Sequence, residues 1–111
     1  MSGIVRIEPS SVEEQPEVQE GPALTRTATA FEPGTGLEAG IWEAKPHTEH
    51  IPSQVCDEVC VILEGTVYLR EPDGTEHAFG PGAAFAIAQG TELTWHQDDT
   101  VRKVFVTRER A

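Results

Sequence analysis

Short apolar runs alternate with turn-forming residues along most of this chain. In the longest run, from Val55 to Leu63, two sets of side chains alternate and would face opposite sides of an extended strand. The segment from Glu71 to Gly74 is typical of a hairpin turn, because its proline and glycine suit the dihedral angles of such turns. The segments that we predict to be strands are residues 24–31, 37–43, 55–63, 66–70, 75–79, 83–88, 92–96 and 101–107.

About eight or nine short strands, roughly 8–12 residues apart and with no long helix between them, are typical of antiparallel sandwiches and barrels. A chain of 111 residues fits one domain. We therefore predict a single all-β barrel domain over residues 23–111. In this interpretation the polar residues 44–54 form an irregular segment between two strands.

The first 22 residues differ from the rest. Residues 4–7 alternate in the manner of a brief strand, whereas residues 11–22 contain four carboxylates and two prolines without an apolar period. We predict that residues 1–22 form an N-terminal strand and an acidic surface arm, with at most one helical turn opened by Ser10 or Ser11.

Charge and apolar content narrow the function classes. The chain has 8 Lys+Arg against 19 Asp+Glu, a net charge of −11. That surplus disfavours nucleic acids and anionic membranes as partners, because affinity for phosphates depends on basic groups. No run approaches the ~20 apolar residues of a membrane-spanning helix, and the start has no signal-peptide pattern. We expect a cytoplasmic protein without nucleic-acid or membrane partners.

The two cysteines, Cys56 and Cys60, fall in the longest apolar run. In a strand, residues four apart are separated by ~13 Å, which is about twice the Cα separation that a disulfide spans. We therefore expect free thiols, as in a reducing compartment.

Several short motifs occur in a fixed order. Asp57–Gly65 has a glutamate followed by six residues and a glycine, and Gly82–Gly90 follows a Gly-Pro-Gly turn. Gly40-Ile41-Trp42, Thr94-Trp95 and Val101-Arg102-Lys103 accompany them. Together these motifs resemble the cupin superfamily, in particular the small single-domain cupins grouped with ethanolamine-utilisation and (S)-ureidoglycine aminohydrolase-like proteins. The resemblance extends over residues 36–106 and implies a double-stranded β-helix, the jelly-roll barrel of cupins.

The chain departs from the metal-binding pattern of that superfamily. Typical members carry His-x-His before the glutamate, which is Glu58 here, and a third histidine in the second motif. The corresponding positions hold Pro52 and Gln54, or Ile51 and Ser53, and Leu93. A standard site of three histidines and one glutamate is therefore not available. The sequence leaves open whether the protein binds a metal cofactor.

Glu58 is the candidate catalytic residue. It alternates with Cys60 and Ile62, so the strand would direct it into the barrel, while Val59, Val61 and Leu63 need cover from another sheet, the arm or a partner. A carboxylate in a partly apolar cavity suits general acid–base chemistry. The alternative is a structural carboxylate tied to a buried donor.

A rebuilt site for a divalent transition metal is also conceivable. His47 and His50 lie just upstream of Glu58, and a displaced loop would bring imidazoles, common metal ligands, to that carboxylate. The alternative is that both histidines face solvent.

Five further residues are candidates for contact with a ligand. Flat indole faces suit a planar or cationic group. A lysine that alternates with Val101 and Phe105 either points inward, to the glutamate or to a substrate carboxylate, or extends to the surface. Tyr68 would add a phenol to the cavity. Cys60 would be either a soft ligand or a small core residue. These residues are Trp42, Cys60, Tyr68, Trp95 and Lys103.

Three functions remain open at this point. The first is an enzyme acting on a small polar, nitrogen-containing metabolite with Glu58 as acid or base, a chemistry that only the resemblance implies. The second is a non-catalytic protein that binds a metabolite, and the third is a metal-dependent cupin with a rebuilt site. We also predict a homodimer that covers the Val59/Val61/Leu63 face and residues 4–7.

Overall fold

Two antiparallel sheets contain the ten strands of the described chain, in a computed structural model that describes residues 3–110. Six strands form one sheet in the order β1-β2-β3-β10-β5-β8, and four form the other in the order β4-β9-β6-β7. The bounds are β1 (Val18–Glu20), β2 (Ala23–Phe31), β3 (Leu37–Ala44), β4 (His47–Ile51), β5 (Asp57–Glu64), β6 (Val67–Arg70), β7 (Glu76–Phe79), β8 (Ala84–Ile87), β9 (Leu93–Gln97) and β10 (Val101–Arg108).

The chain changes sheet repeatedly, which makes the fold a jelly roll. It passes from β3 to β4, back to β5, over to the β6–β7 hairpin, and then through β8 and β9 to β10. This confirms the predicted all-β fold. In the hairpin, the amide of Glu71 donates to the Thr75 carbonyl at 2.8 Å, and Gly74 adopts a φ of +93° that favours glycine. None of the helices in the described part of the chain has the length and apolar character needed to span a bilayer.

The main core lies between the two sheets. Alternation along each strand puts one set of side chains inward, as β5 shows, where Cys60 and Ile62 are fully buried while Val59 is 49% exposed. The buried residues of this core are Ile62, Val67, Leu69, Ile87, Leu93, Trp95 and Val101.

The N-terminal segment differs from the prediction. Residues 4–7 form no strand, and the 3-10 helix spans Pro9–Glu14, so it begins at a proline rather than at Ser10 or Ser11. Val12 in this helix is fully buried against Ala28 and Ile41 on the outer face of the six-stranded sheet. The segment is therefore packed onto the sheet through an apolar side chain that its acidic composition obscures.

The polar segment 44–54 also differs from the prediction, because it contains strand β4. β4 pairs with β9 along its whole length, from His47 opposite Gln97 to Ile51 opposite Leu93. Its alternation is weak in the sequence because two of its three inward residues are a histidine and a glutamate. Those side chains face a cavity rather than an apolar core.

Candidate functional site

A cavity of about 370 Å³ lies between the two sheets. Strands from both sheets contribute to its wall, with β1, β2, β3, β5, β8 and β10 on one side and β4 and β9 on the other. The lining residues are Glu20, Thr27, Glu38, Trp42, His47, Glu49, Ile51, Gln54, Val55, Glu58, Ile87, Trp95, Lys103, Phe105 and Thr107.

Lys103 and Glu58 form a largely buried ion pair in this lining. Nζ of Lys103 lies 2.9 Å from Oε2 of Glu58, and their side chains are only 6% and 14% exposed. Nε2 of Gln54 donates to the other carboxylate oxygen at 3.2 Å. The inward orientation of Lys103, one of the two alternatives from the sequence, is thus the observed one.

The register of β10 explains how this lysine reaches its partners. Val101, Lys103 and Phe105 all face inward from β10, which lies between β3 and β5. Lys103 is directly opposite Trp42 on β3. Glu58 lies at the start of β5, and the long lysine side chain extends along the barrel to meet it.

Two indole rings enclose the lysine ammonium. Nζ of Lys103 lies 4.4 Å from the ring centroid of Trp42 and 4.6 Å from that of Trp95, within the range of cation–π attraction. The rings meet edge to face at 5.7 Å, and Nε1 of Trp95 donates to Oε1 of Gln97 at 3.0 Å. Both tryptophans line the cavity, and the chain's own ammonium occupies the position between them.

Cys60 does not line the cavity, which corrects its place among the ligand-contacting residues. It faces inward from β5, yet it is fully buried. Burial raises the pKa of its thiol to about 12, and the Glu58 carboxylate adds to this effect while Lys103 opposes it. Such a thiol stays protonated at neutral pH and acts as a core residue. Both cysteines are free thiols.

The two histidines do not converge on Glu58, which corrects the rebuilt metal site. His47 faces the cavity, but His50 is three residues further along β4 and so faces the other way. There Nε2 of His50 lies 3.2 Å from Oε2 of Glu92.

The donor set does not fit the family's metal either. Across residues 3–110 no three metal-ligating side chains of the His, Cys, Asp or Glu type come together. The position of the third histidine is Leu93, a buried core residue. The ammonium of Lys103 would also repel a cation bound to Glu58.

Tyr68 lies outside the cavity as well, contrary to the prediction. Its neighbours Val67 and Leu69 are buried between the sheets, so alternation turns the phenol to the outer face of the four-stranded sheet. There its ring is 6.1 Å from that of His96.

Several cavity residues were missed by the sequence analysis. Glu49 alternates with His47 and Ile51, a signal that would have been visible had the segment been treated as a strand. Gln54, Glu20 and Glu38 had no such signal, because their places in the lining depend on loop paths and on how strands pair.

Two antiparallel sheets in jelly-roll order around an internal cavity are the architecture of the cupin class of β-barrel proteins, which other jelly-roll proteins share. The model of the EutQ-like cupin domain matches residues 31–105, and the chain therefore belongs to this family. No curated protein matches the sequence.

Solved structures agree with this assignment at the level of the fold. The EutQ protein of Clostridium difficile has a TM-score of 0.69 at 20% identity, over 95% of this chain and 81% of its own. A putative ethanolamine utilization protein from Salmonella typhimurium has a TM-score of 0.67 at 18% identity, over 79% and 72%. A protein of unknown function from Rhizobium leguminosarum has a TM-score of 0.71 at 20% identity, over 99% and 98%.

Proposed function

We propose that the cavity binds a small polar metabolite, with the Lys103–Glu58 pair as its polar anchor and the two indole rings as its walls. The observation that carries this proposal is a buried ion pair that lines an open volume instead of being enclosed by core residues. Cavities of this kind, mostly apolar with a few convergent polar groups, are the usual form of small-molecule sites.

Stability alone is a poor reason for such a pair. Removing two charges from water costs several kcal/mol per ion, and well-packed apolar residues of similar volume are often as stable or more stable. A pair at the wall of a cavity has a second use, because its remaining hydrogen-bonding capacity is available to a ligand. This argument favours binding over a purely structural role.

Tryptophan fluorescence tests the proposal directly. The chain has two tryptophans, and both line the cavity, so their emission reports on this site alone. We expect that a screen of small polar metabolites contains a compound that changes the emission saturably and raises the Tm. Because the proposed site needs no metal, binding should be the same after treatment with EDTA. A screen in which no compound does either would contradict the proposal.

Catalysis by Glu58 is the second candidate. Its carboxylate lines the cavity next to two hydrogen-bond donors, so a bound ligand would contact it. For a metabolite that the protein both binds and converts, Glu58→Gln should lower turnover about 100-fold or more, the usual contribution of a general acid or base, in protein that circular dichroism shows to be folded. Conversion that survives this substitution would exclude the catalytic role.

A further inference from the structure

The outer face of the four-stranded sheet carries a second cluster of reactive side chains, apart from the cavity between the sheets. We propose that Thr48, His96 and Asp98 form a catalytic triad there, which hydrolyses small uncharged esters through an acyl group on Thr48. This activity is separate from the metabolite binding proposed above, since the three side chains lie outside that cavity.

Strand register places the threonine and the histidine side by side. Trp95 and Gln97 are buried between the sheets, so alternation turns His96, which lies between them in β9, to the outer face. Thr48 on β4 is directly opposite His96 and faces the same way. Directly opposed residues on antiparallel strands have side chains within contact distance. The nucleophile and its base are therefore held by two neighbouring strands of a sheet rather than by a loop.

The hydrogen bonds of His96 define the direction in which a proton moves. Its Nδ1 lies 2.6 Å from Oγ1 of Thr48, and its Nε2 lies 2.8 Å from Oδ1 of Asp98. Because an ionised carboxylate can only accept, Nε2 carries the proton of the neutral imidazole and Nδ1 is the acceptor. The Thr48 hydroxyl therefore donates to Nδ1, in the arrangement of nucleophile, base and orienting carboxylate that activates a hydroxyl for attack.

A neighbouring set of the same residue types has a looser geometry. His50 on β4 lies opposite Thr94 on β9, and its Nδ1 is 3.4 Å from the Thr94 hydroxyl oxygen, beyond the ordinary hydrogen-bond distance. Its Nε2 is 3.2 Å from Oε2 of Glu92. Of the two sets, the one around His96 has the short contacts that proton transfer needs.

A recess beside the triad is the binding place for the ester. It has a volume of about 250 Å³, and its lining includes Thr48 and His96 together with Tyr68 and Arg70 of β6. Arg70 donates to Glu76 at 3.1 Å through Nη2, and its remaining N–H groups can stabilise the negative oxygen of a tetrahedral intermediate. Because Glu76 compensates the charge of Arg70 and the chain has a net charge of −11, an uncharged ester is favoured over an anionic one.

The hydrolysis takes two steps. Oγ1 of Thr48 forms a bond to the carbonyl carbon of the ester, and the hydroxyl proton moves to Nδ1 of His96. The bond between that carbon and the leaving alcohol breaks, and the alcohol takes this proton. Water then attacks the acyl-threonine and gives a proton to Nδ1, after which the carboxylic acid leaves and Thr48 recovers its proton. In both steps Asp98 orients the imidazole and stabilises its positive charge.

Hydrolysis of p-nitrophenyl acetate tests this activity, because it releases a coloured product from a small uncharged ester. We expect the full chain to exceed the rate in buffer. Thr48→Val and His96→Gln should each lower kcat/KM about 100-fold or more, since each removes a member of the triad. Thr48→Ser restores a hydroxyl and should retain turnover. Mass spectrometry of protein quenched during turnover should show one acetyl group on the peptide that contains Thr48.

His50→Gln is the matched control, because it also removes a partly exposed imidazole that pairs with a carboxylate, but one with the longer contact to its threonine. It should leave the rate unchanged, and circular dichroism should show every variant to be folded.

Three results would overturn the proposal. Equal losses in His50→Gln and His96→Gln would mean that exposed imidazoles attack the ester without a triad. Full activity of Thr48→Val would exclude the threonine as nucleophile. A rate no higher than in buffer would exclude the activity altogether, whereas tryptophan fluorescence decides the metabolite binding in the other cavity separately.

Discussion

Lys103 and Glu58, which are 45 residues apart in the chain, form a 2.9 Å ion pair at the wall of the cavity. β10 and β5, the strands that carry them, are neighbours in the six-stranded sheet. The pair therefore depends on the complete barrel, and it links the stability of the fold to the chemistry of the site.

Removal of the lysine should be strongly destabilising. In Lys103→Met the Glu58 carboxylate remains largely buried without its cation, and we expect the free energy of unfolding to fall by about 3 kcal/mol, as for other broken buried pairs. Chemical denaturation measures this loss. The double variant Lys103→Met/Glu58→Gln also removes the negative charge of Glu58, and it should recover about half of the lost free energy of unfolding. A double variant no more stable than the single one would show that the charge is not the cause.

Gly40 should not tolerate a methyl group. A Cβ atom there would overlap the carbonyl oxygen of Ala28 on β2, beside the bulge between Thr29 and Phe31. We expect Gly40→Ala to lower the free energy of unfolding by about 2 kcal/mol or more. Gly80→Ala is the control, because the nearest described atom to a Cβ there would be the Thr66 hydroxyl oxygen at an ordinary 3.5 Å. Equal stability of the two variants would contradict the steric explanation.

Stability should depend on alkaline pH through Cys60. Burial raises the pKa of its thiol from 9.0 to about 12, so the unfolded chain loses this proton at lower pH than the folded one. The stabilisation of the folded state that comes from this pKa difference is complete below about pH 9. It is lost as the pH rises toward about 12, and the free energy of unfolding then falls by up to about 1.4 kcal/mol per pH unit. Denaturation at several pH values should give a smaller slope for Cys60→Ala. Equal slopes would show that the thiol does not carry the effect.

The homodimer remains a prediction, with a smaller candidate interface than the sequence indicated. Leu63 packs near the N-terminal helix, whereas Val59 is 49% exposed and lies opposite Ala86 of β8, the strand at the edge of the sheet. Edge strands with small uncharged side chains favour pairing between chains. We expect a sedimentation mass of about twice 12.1 kDa at micromolar concentration.

Val59→Lys should shift this dimer to monomer, because it places a positive charge of one chain against the same charge of the other. Val18→Lys is the control, since Val18 is equally exposed but lies on β1 at the other end of the sheet. A wild-type mass near that of one chain, or a dimer that both variants disrupt equally, would contradict this interface.

Much of the fold could be predicted because β-strands have a period of two that the sequence displays directly. The inward face of β5 and the turn after Arg70 both followed from that pattern. The pattern failed for β4, where His47 and Glu49 face a polar cavity, and for the N-terminal helix, where the buried Val12 packs an acidic segment onto the sheet. In both places the local composition does not indicate whether a side chain faces the cavity, the core or solvent in the folded protein.

The sequence by itself determined the family, the alternating faces of the strands and the absence of the usual histidines, because these are local properties of motifs and spacing. Only the tertiary structure decided which candidates meet. Lys103 joins Glu58, Trp42 and Trp95, while Cys60, His50 and Tyr68 are excluded from the cavity. The physical reason is that strand order and register between distant segments fix these contacts, and neither is written in the spacing of residues along one strand.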